Sequence, residues 1–436
     1  MKIPNFIKSN LLLKVASANT GLVLVRMFCS LISQKVLAVL VGAEGIALVG
    51  NLKNVISFFE QFSILGTSNG LVKYISEFKD DKKQLNQLFS TVFVLSIIAS
   101  VISFVVLFFW SDTLNNTIFG VDKEYGFIFK IIAFIMPFIG VNGILYALLN
   151  GVSAYKLFSK IGLLVVATST VLIVLLTYKL GLVGSLIAFS IIPLLQFLIY
   201  IVFSSKTYYN FIDLKALTCS LSFKKQLLTY SVMALVVIFC INITDVAIRH
   251  LIEDKVSIID AGNWTAMNSV SKVYMQFTAA IFPLYILPAY AKISNAIDFR
   301  KEVFKIYKIL LPLLVSGMLL VFIFRKFIIE ALYTSEFLGM SGLFKWQLLG
   351  DLVKFIAFVL SYQFIAKKQI GNFIFTEALS VLLFYFFSVY FIDIYGTEGV
   401  VIAHFVRYIL FLFVVLFILR HNFIEYFEKN KKNTSG

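Results

Sequence analysis

Within stretches that are otherwise apolar for about twenty residues, the chain carries ionisable side chains: Arg26, Lys35, Lys53, Glu60, Lys130, Asp245, Arg249, Lys272, Lys308, Lys345, Asp351, Lys354, Glu377 and Arg407, with His250 and His404 beside them. Placing such a group inside a bilayer costs about 2.5 to 3.5 kcal/mol, so each is expected to face water, a partner or a ligand. Arg26, Lys53, Lys272 and Arg407 have no acid at helical spacing on their own helix. They can pair with Glu60 or Glu377 on other helices, or hold an anion by charge-assisted hydrogen bonds, which strengthen where water is scarce. The carboxylates Glu60, Asp245, Asp351 and Glu377 are candidates for coupling to a proton or a sodium ion. Asp245 and Arg249 are four residues apart, and Asp351 and Lys354 three, so each pair can meet on one helical face and neutralise itself. Lys35, Lys130, Lys308 and Lys345 lie near the ends of their stretches and can reach the headgroups instead.

The elements that must position these groups are membrane helices. The 436-residue chain is 60% hydrophobic and only 14% charged, against roughly 25% charged in a soluble domain, and its mean hydropathy is +0.93. Stretches long enough to cross about 30 Å of hydrocarbon fall near 15–39, 46–70, 88–110, 128–149, 161–177, 182–203, 228–250, 264–288, 306–324, 345–366, 372–391 and 398–419. The net charge of +15 could mark a nucleic-acid binder, but the basic residues sit in the short gaps between these stretches. Alternate gaps and the two ends hold 23 Lys and Arg, from Lys2, Lys8 and Lys14 to Lys429, Lys431 and Lys432, whereas the intervening gaps hold 5. Basic residues near helix ends stay on the cytoplasmic side, so this asymmetry predicts twelve helices with both termini in the cytoplasm and gives nucleic acid no role.

Nothing in the sequence forms an enzyme. It has no phosphate-binding lysine loop, nucleophile elbow, HExxH or acidic metal cluster, so no cofactor is called for. The three cysteines, Cys29, Cys219 and Cys240, are scattered and fall in no paired motif. The first apolar run is longer than a signal-peptide core and lacks a cleavage motif, so it reads as a retained helix.

Sliding the chain over itself by 215 residues places Phe129 and Lys130 on Phe344 and Lys345, and Gly181, Gly184, Ile187 and Ala188 on Gly396, Gly399, Ile402 and Ala403. Halves of six helices each begin on the same side of the membrane, so the repeats are parallel, as in two-lobed transporters with a site between the lobes. The expected architecture is an all-α membrane protein of about twelve transmembrane helices in two six-helix bundles around a central cavity. Its segments are an N-terminal lobe (1–204), a basic cytoplasmic linker (205–227), a C-terminal lobe (228–420) and a cytoplasmic tail (421–436). Pro137, Pro193, Pro283, Pro288 and Pro312 all fall inside predicted helices, where proline removes a backbone donor and tends to bend the helix.

Four strings then carry a likeness: GAEGIALVGNLKN (Gly42 to Asn54), NGLVKYISEF (Asn69 to Phe78), KVYMQFTAAIFPLYILPAYAKIS (Lys272 to Ser294) and KWQLLGDLVKFIAFVLSYQFIAK (Lys345 to Lys367). They resemble the Wzx family of lipid-linked oligosaccharide flippases, and the likeness runs from about residue 11 to 420. The run from Trp346 through Gly350, Asp351 and Lys354 to Lys367 is the most specific part, because chance apolar matches do not keep those polar positions together. The resemblance implies the fold of the multidrug/oligosaccharidyl-lipid/polysaccharide exporter superfamily. It also implies a substrate, an undecaprenyl diphosphate bearing an O-antigen or enterobacterial common antigen type of repeat, moved across the bacterial inner membrane among membrane lipids. Glycan polymerase and chain-length proteins are then candidate partners. Counterparts of the first, second and eighth helices line the cavity in that superfamily, which makes Arg26, Lys53 and Lys272 the implied diphosphate group, with Arg249 and Arg407 as further members. An ion-coupled small-molecule exporter of the same fold is the alternative, and a non-transporting scaffold for glycan assembly a more distant one.

Overall fold

The computed structural model describes residues 20–422 apart from Ala280. Lys2, Lys8 and Lys14, the tail lysines Lys429, Lys431 and Lys432, and the first residues of the first span lie outside these. All regular structure among the described residues is helical: α1 (Thr20–Phe62), α2 (Ser68–Phe78), α3 (Lys82–Phe109), α4 (Ser111–Ile118), α5 (Gly126–Gly151), α6 (Tyr155–Phe211), α7 (Lys224–Lys255), α8 (Ile258–Ala279), α9 (Leu287–Lys292), α10 (Ala296–Ile323), α11 (Arg325–Leu332), α12 (Leu343–Ala366), α13 (Ile370–Tyr395) and α14 (Thr397–Ile418).

Among the described residues, nine helices are long and apolar enough to cross a membrane. Two of them, Leu24–Phe62 and Lys156–Ser205, are 39 and 50 residues long. At 1.5 Å per residue they would reach roughly 58 and 75 Å, about twice the hydrocarbon thickness. Each is in fact two helices: α1 breaks at Gly42 (φ 67°, ψ −167°) and α6 at Gly181 (φ 57°, ψ −132°). The segment from α8 to α9 supplies the remaining crossing. Asp260, Asn263, Asn268 and Lys272 make α8 too polar for a hydropathy test. Counted this way, the described residues make twelve crossings, and the chain is a polytopic membrane protein.

The duplication is written in backbone geometry as well as in residues. Gly396, which separates α13 from α14, has φ 58° and ψ −141°, close to the values of Gly181, 215 positions earlier. Both angles lie in the region open to glycine and costly to other residues. Eight residues of straight helix span about 12 Å, yet the hydroxyls of Thr177 and Ser185 are 3.0 Å apart, so the chain folds back sharply at Gly181. A Cβ on Gly184 would meet the carbonyl of Leu176, with its carbon at 2.5 Å, and a Cβ on Gly399 would meet the carbonyl of Phe391, again with carbon at 2.5 Å. Leu176 and Phe391 are themselves 215 apart. A second matched contact anchors the short helices α4 and α11: Asn51 Nδ2 donates to the Ile118 carbonyl (2.9 Å), and Tyr333 Oη donates to the Ala266 carbonyl (3.2 Å). Each residue of the first pair stands 215 before its equivalent in the second.

The second and eighth spans, read from sequence as continuous, are interrupted at equivalent places. After Phe62 the chain leaves the helix through Leu65 (φ 49°) and Gly66 (φ 65°) before α2 begins. In the other half α8 ends at Ala279, and a π-helical turn at Phe282–Ile286 follows, which contains Pro283 and leads to Pro288 at the start of α9. A π turn widens the helix and recurs at functional sites.

The chain divides into two compact units, Phe28–Ala247 and Met1–Met27 with Ile248–Gly436. In the first, Leu71, Ile75, Leu85, Phe89, Leu148, Tyr208 and Leu227 belong to a closed apolar core. α3 and α5 pack through small residues: a Cβ on Gly140 would collide with Ser96 Oγ and lie 3.3 Å from Ser100 Oγ. Such close approach is how membrane helices associate where lipid offers no hydrophobic drive. The linker, 212–223 between α6 and α7, lies on α3: the amides of Asp213, Thr218 and Phe223 donate to Asn86 Oδ1, Ser90 Oγ and Thr91 Oγ1. In the second unit Phe299, Phe344, Phe355, Phe364 and Phe411 are fully buried. Phe109, Val202, Leu382 and Phe413 are among the exposed apolar side chains; on membrane helices these are the lipid-facing surface.

Candidate functional site

The most elaborate polar cluster among the described residues is built on α12. Gln347, Asp351 and Lys354 share one face by i, i+4 and i, i+3 spacing, and Asp351 is 1% exposed. Four donors converge on its carboxylate. Oδ2 accepts from Ser271 Oγ (2.5 Å) and Tyr274 Oη (2.5 Å) on α8 and from Gln347 Nε2 (3.3 Å), while Oδ1 faces His404 Nε2 on α14 at 3.1 Å. A buried carboxylate persists only when its lone pairs are satisfied in this manner. α14 approaches so closely because residue 350 is glycine: a Cβ there would collide with His404 Cδ2 and stand 3.1 Å from its Nε2.

Arg407, one turn beyond His404, continues the cluster. Its Nη2 lies 3.2 Å from His404 Nδ1 and 3.1 Å from Tyr408 Oη, and its guanidinium stacks 4.1 Å from the Phe384 ring centroid and 4.4 Å from that of Tyr408. Lys354 Nζ stands 5.6 Å from the ring centroids of both Phe358 and Tyr408. Glu377 on α13 is within electrostatic reach of Arg407 and Lys354. Two acids and two bases thus sit together in one unit around a neutral hydrogen-bonding core. The i, i+3 expectation for Asp351 and Lys354 is corrected in detail: no ion pair joins them among the described residues, because Ser271, Tyr274, Gln347 and His404 already occupy the carboxylate.

Arg249 is 4% exposed, donates Nε to Thr265 Oγ1 (3.0 Å) and lies over the Trp264 ring, both on α8. Asp245, expected as its partner, makes no ion pair among the described residues and is half-buried. Also in this unit, Arg26 is half-buried with its Nε sealed from solvent and without a hydrogen bond among the described residues, and Lys272 is exposed. The other unit holds Lys53, half-buried with Nζ 4.2 Å over the Phe189 ring, and Glu60, which is exposed. Beside Lys53, Asn54 Nδ2 donates to the Asn242 carbonyl (3.3 Å), so the second span and the middle of α7 are joined there. Of the four lysines expected to reach the headgroups, Lys130, Lys308 and Lys345 are exposed and Lys35 is half-buried.

Sequence reading missed Ser271, Tyr274, Gln347 and Tyr408. A hydroxyl or amide in an apolar stretch is common in membrane helices and carries no mark of its own. The signals that were present are the polar string around Asp351 and the i, i+3 spacing of His404 and Arg407.

Twelve crossings in two repeated halves is the fold of the MOP-superfamily transporters. An inward-facing multidrug resistance MATE family transporter of that superfamily superposes with a TM-score of 0.77 at 13% identity, covering 92% of this chain and 98% of its own. The lipid II flippase MurJ, in an inward closed conformation, superposes with a TM-score of 0.60 at 17% identity over 93% of this chain and 87% of its own. The chain belongs to the polysaccharide biosynthesis protein family, whose model matches residues 36–342. Among curated proteins, the Lipid III flippase of Escherichia coli (strain K12) is 27% identical over 391 residues, 89% of this chain and 93% of its own length.

Proposed function

We propose that this protein is a flippase that turns undecaprenyl diphosphate-linked oligosaccharide repeat units from the cytoplasmic to the periplasmic leaflet of a bacterial inner membrane. The observation that carries this reading is the nearly full-length likeness to the Lipid III flippase. The chemistry agrees with it. A diphosphate needs cations held where water is scarce, and the prenyl tail can stay in lipid while the head crosses. The proposed motion is alternating access by two six-helix lobes, 1–204 and 228–420, with both termini in the cytoplasm. Arg26, Lys53 and Lys272 are the proposed diphosphate group; the Nε of Arg26, sealed from solvent and without a hydrogen bond among the described residues, supports its place in it. Arg407 is a further member. Arg249, already committed to Thr265 and Trp264, is the weakest. Glu60, Asp245 and Glu377 are stronger coupling candidates than Asp351, whose lone pairs are taken up. Glycan polymerase and chain-length proteins are proposed partners. A small-molecule exporter of the same fold is disfavoured, since an organic cation calls for acids in the cavity and the intramembrane charge here is mainly basic.

The test is complementation together with leaflet assignment. A deletion strain should accumulate the lipid-linked repeat on the cytoplasmic leaflet; accumulation on the periplasmic side would point to a later assembly step. Lys53→Gln and Lys272→Gln should abolish or strongly weaken flipping while Arg at either position preserves part of it, since each charge-assisted bond contributes about 1.5 to 3 kcal/mol. Lys130→Gln is the control and should be tolerated. Full complementation by both lysine variants with failure of Lys130→Gln would place the cavity on the wrong face.

A further inference from the structure

The hydrogen bonds that link Asp351, His404 and Arg407 are not free to be drawn in any order. A guanidinium can only donate, so His404 Nδ1, 3.2 Å from Arg407 Nη2, must be bare. The proton of the neutral ring then sits on Nε2, 3.1 Å from Asp351 Oδ1, where it can be donated. A doubly protonated ring would turn an N–H toward the guanidinium, and the other neutral tautomer would lose both bonds. Only one form of the ring satisfies both Asp351 and Arg407; Gln347 Nε2, 3.5 Å from the ring Nε2, donates to Asp351 Oδ2 instead.

Each neighbour is fixed in turn. The second carboxylate oxygen of Asp351 is held from α8 by Ser271 and Tyr274 and from its own helix by Gln347. Gly350 gives the ring the space it occupies. The Arg407 guanidinium lies against the Phe384 and Tyr408 rings with Nη2 committed to His404 and Tyr408. Its Nη1 donates to no described residue.

We propose that Asp351 and His404 are positioning residues that act through Arg407, holding its guanidinium so that Nη1 meets a phosphate oxygen of the substrate headgroup. This rests on the flippase reading for the identity of the anion, but the relay itself does not. It gives Asp351 a role other than ion coupling and makes His404, otherwise only a histidine beside a span, required for the full rate of transport.

Two measurements test it. The chain has three histidines, His250, His404 and His421, so 15N spectra of the histidine-labelled full chain in bilayers are simple, and the His404 signals are those lost in His404→Ala. At neutral pH the ring should show a bare Nδ1 and a protonated Nε2. Arg407→Gln, and Gly350→Ala which alters no polar atom, should each mix the tautomers. A doubly protonated ring, a protonated Nδ1, or a spectrum unmoved by both substitutions overturns the relay.

The second measurement is flipping of an undecaprenyl diphosphate-linked glycan in reconstituted vesicles at matched protein levels. His404→Ala should cost roughly tenfold, the scale of one charge-assisted bond. Combined with Arg407→Gln it should cost nothing beyond Arg407→Gln alone, because residues acting through one another are not additive. His404→Gln, which keeps a donor and an acceptor, should recover part of the loss. Losses that multiply would assign the two residues separate roles and overturn the proposal. A wild-type chain that moves no such lipid would overturn the flippase reading, with the ring spectrum still deciding the relay.

Discussion

A methyl group on Gly184 or Gly399 probes the two matched hairpins directly. In either position the new Cβ would stand 2.5 Å from a carbonyl carbon on the facing arm, where ordinary contact is 3.4–4 Å. The obstacle is backbone in both halves, so no side chain can swing aside and the arms must part by about 1 Å. Overpacking of a tight interface costs about 1–3 kcal/mol, and a backbone clash belongs at the upper end, roughly 3 kcal/mol. Gly181→Ala and Gly396→Ala meet nothing within 4 Å but sit at positive φ with ψ of −132° and −141°, so they carry only a backbone penalty, about 1–3 kcal/mol. Gly317→Ala, inside α10 with open space around it, should be neutral or gain about 0.5–1 kcal/mol. Thermal inactivation in nanodiscs, read as the monodisperse fraction at one heating rate, ranks the five variants without assuming reversibility. The expected order of damage is Gly184 and Gly399 first, Gly181 and Gly396 next, Gly317 last. If Gly184→Ala and Gly399→Ala behaved like Gly317→Ala, the hairpin contact would be wrong; if only one of them were damaging, the equivalence of the halves would fail.

Asp351→Leu strands Ser271, Tyr274, Gln347 and His404, and at about 1–3 kcal/mol for each buried group left unpaired it should abolish accumulation of folded protein, whereas Asp351→Asn, which retains an acceptor, should accumulate; equal levels by immunoblot would contradict this. Asp81 caps α3 by accepting from the amides of Lys83 and Gln84, and the Gln84 amide, followed by the Gln84 side chain and Lys83, holds its carboxyl below the ordinary value of 3.8. A lowered folded pKa means that the stabilisation is present above the unfolded value and is lost as pH falls through the folded one. Asp81→Asn should therefore flatten the acid limb of a thermal-stability profile, and an unchanged limb would dismiss the cap as its source. Lys123 is kept protonated chiefly by its hydrogen bond to Glu44, but the two side chains are 35% and 45% exposed. Screening limits such a pair to about 0–1 kcal/mol, so Lys123→Gln should barely shift the melting midpoint, and a shift comparable to that of Gly399→Ala would show the loop to matter more than this.

The twelve crossings and the 215-residue repeat were legible because hydropathy and glycine spacing are local properties of the chain. Breaks in the second and eighth spans were not. A hydropathy window cannot register the positive φ of Leu65 and Gly66, and a π turn changes hydrogen-bond register without changing composition. Helical spacing foresaw that Asp351 and Lys354 share a face, yet the partners of Asp351 include Ser271 and His404, which are 80 and 53 residues away. Arg249 likewise turned to Thr265 on the next helix rather than to Asp245 on its own. In both cases the nearest opposite charge in sequence was displaced by neutral groups arriving from neighbouring helices, and only packing reveals those.

The matched anchors of α4 and α11 have a consequence for how the halves diverged. In one, the long helix supplies the donor through Asn51 and the short helix the carbonyl of Ile118; in the other, Tyr333, which caps the end of the short helix, supplies the donor and the long helix the carbonyl of Ala266. Every residue brings a carbonyl whatever its side chain, so after the ancestral copying event either edge of the joint was free to furnish the hydrogen. Inheritance here follows the joint rather than the letter: Asn51 and Ala266, like Ile118 and Tyr333, would be scored as unrelated in any comparison of the halves by residue type, although together they preserve one fastening.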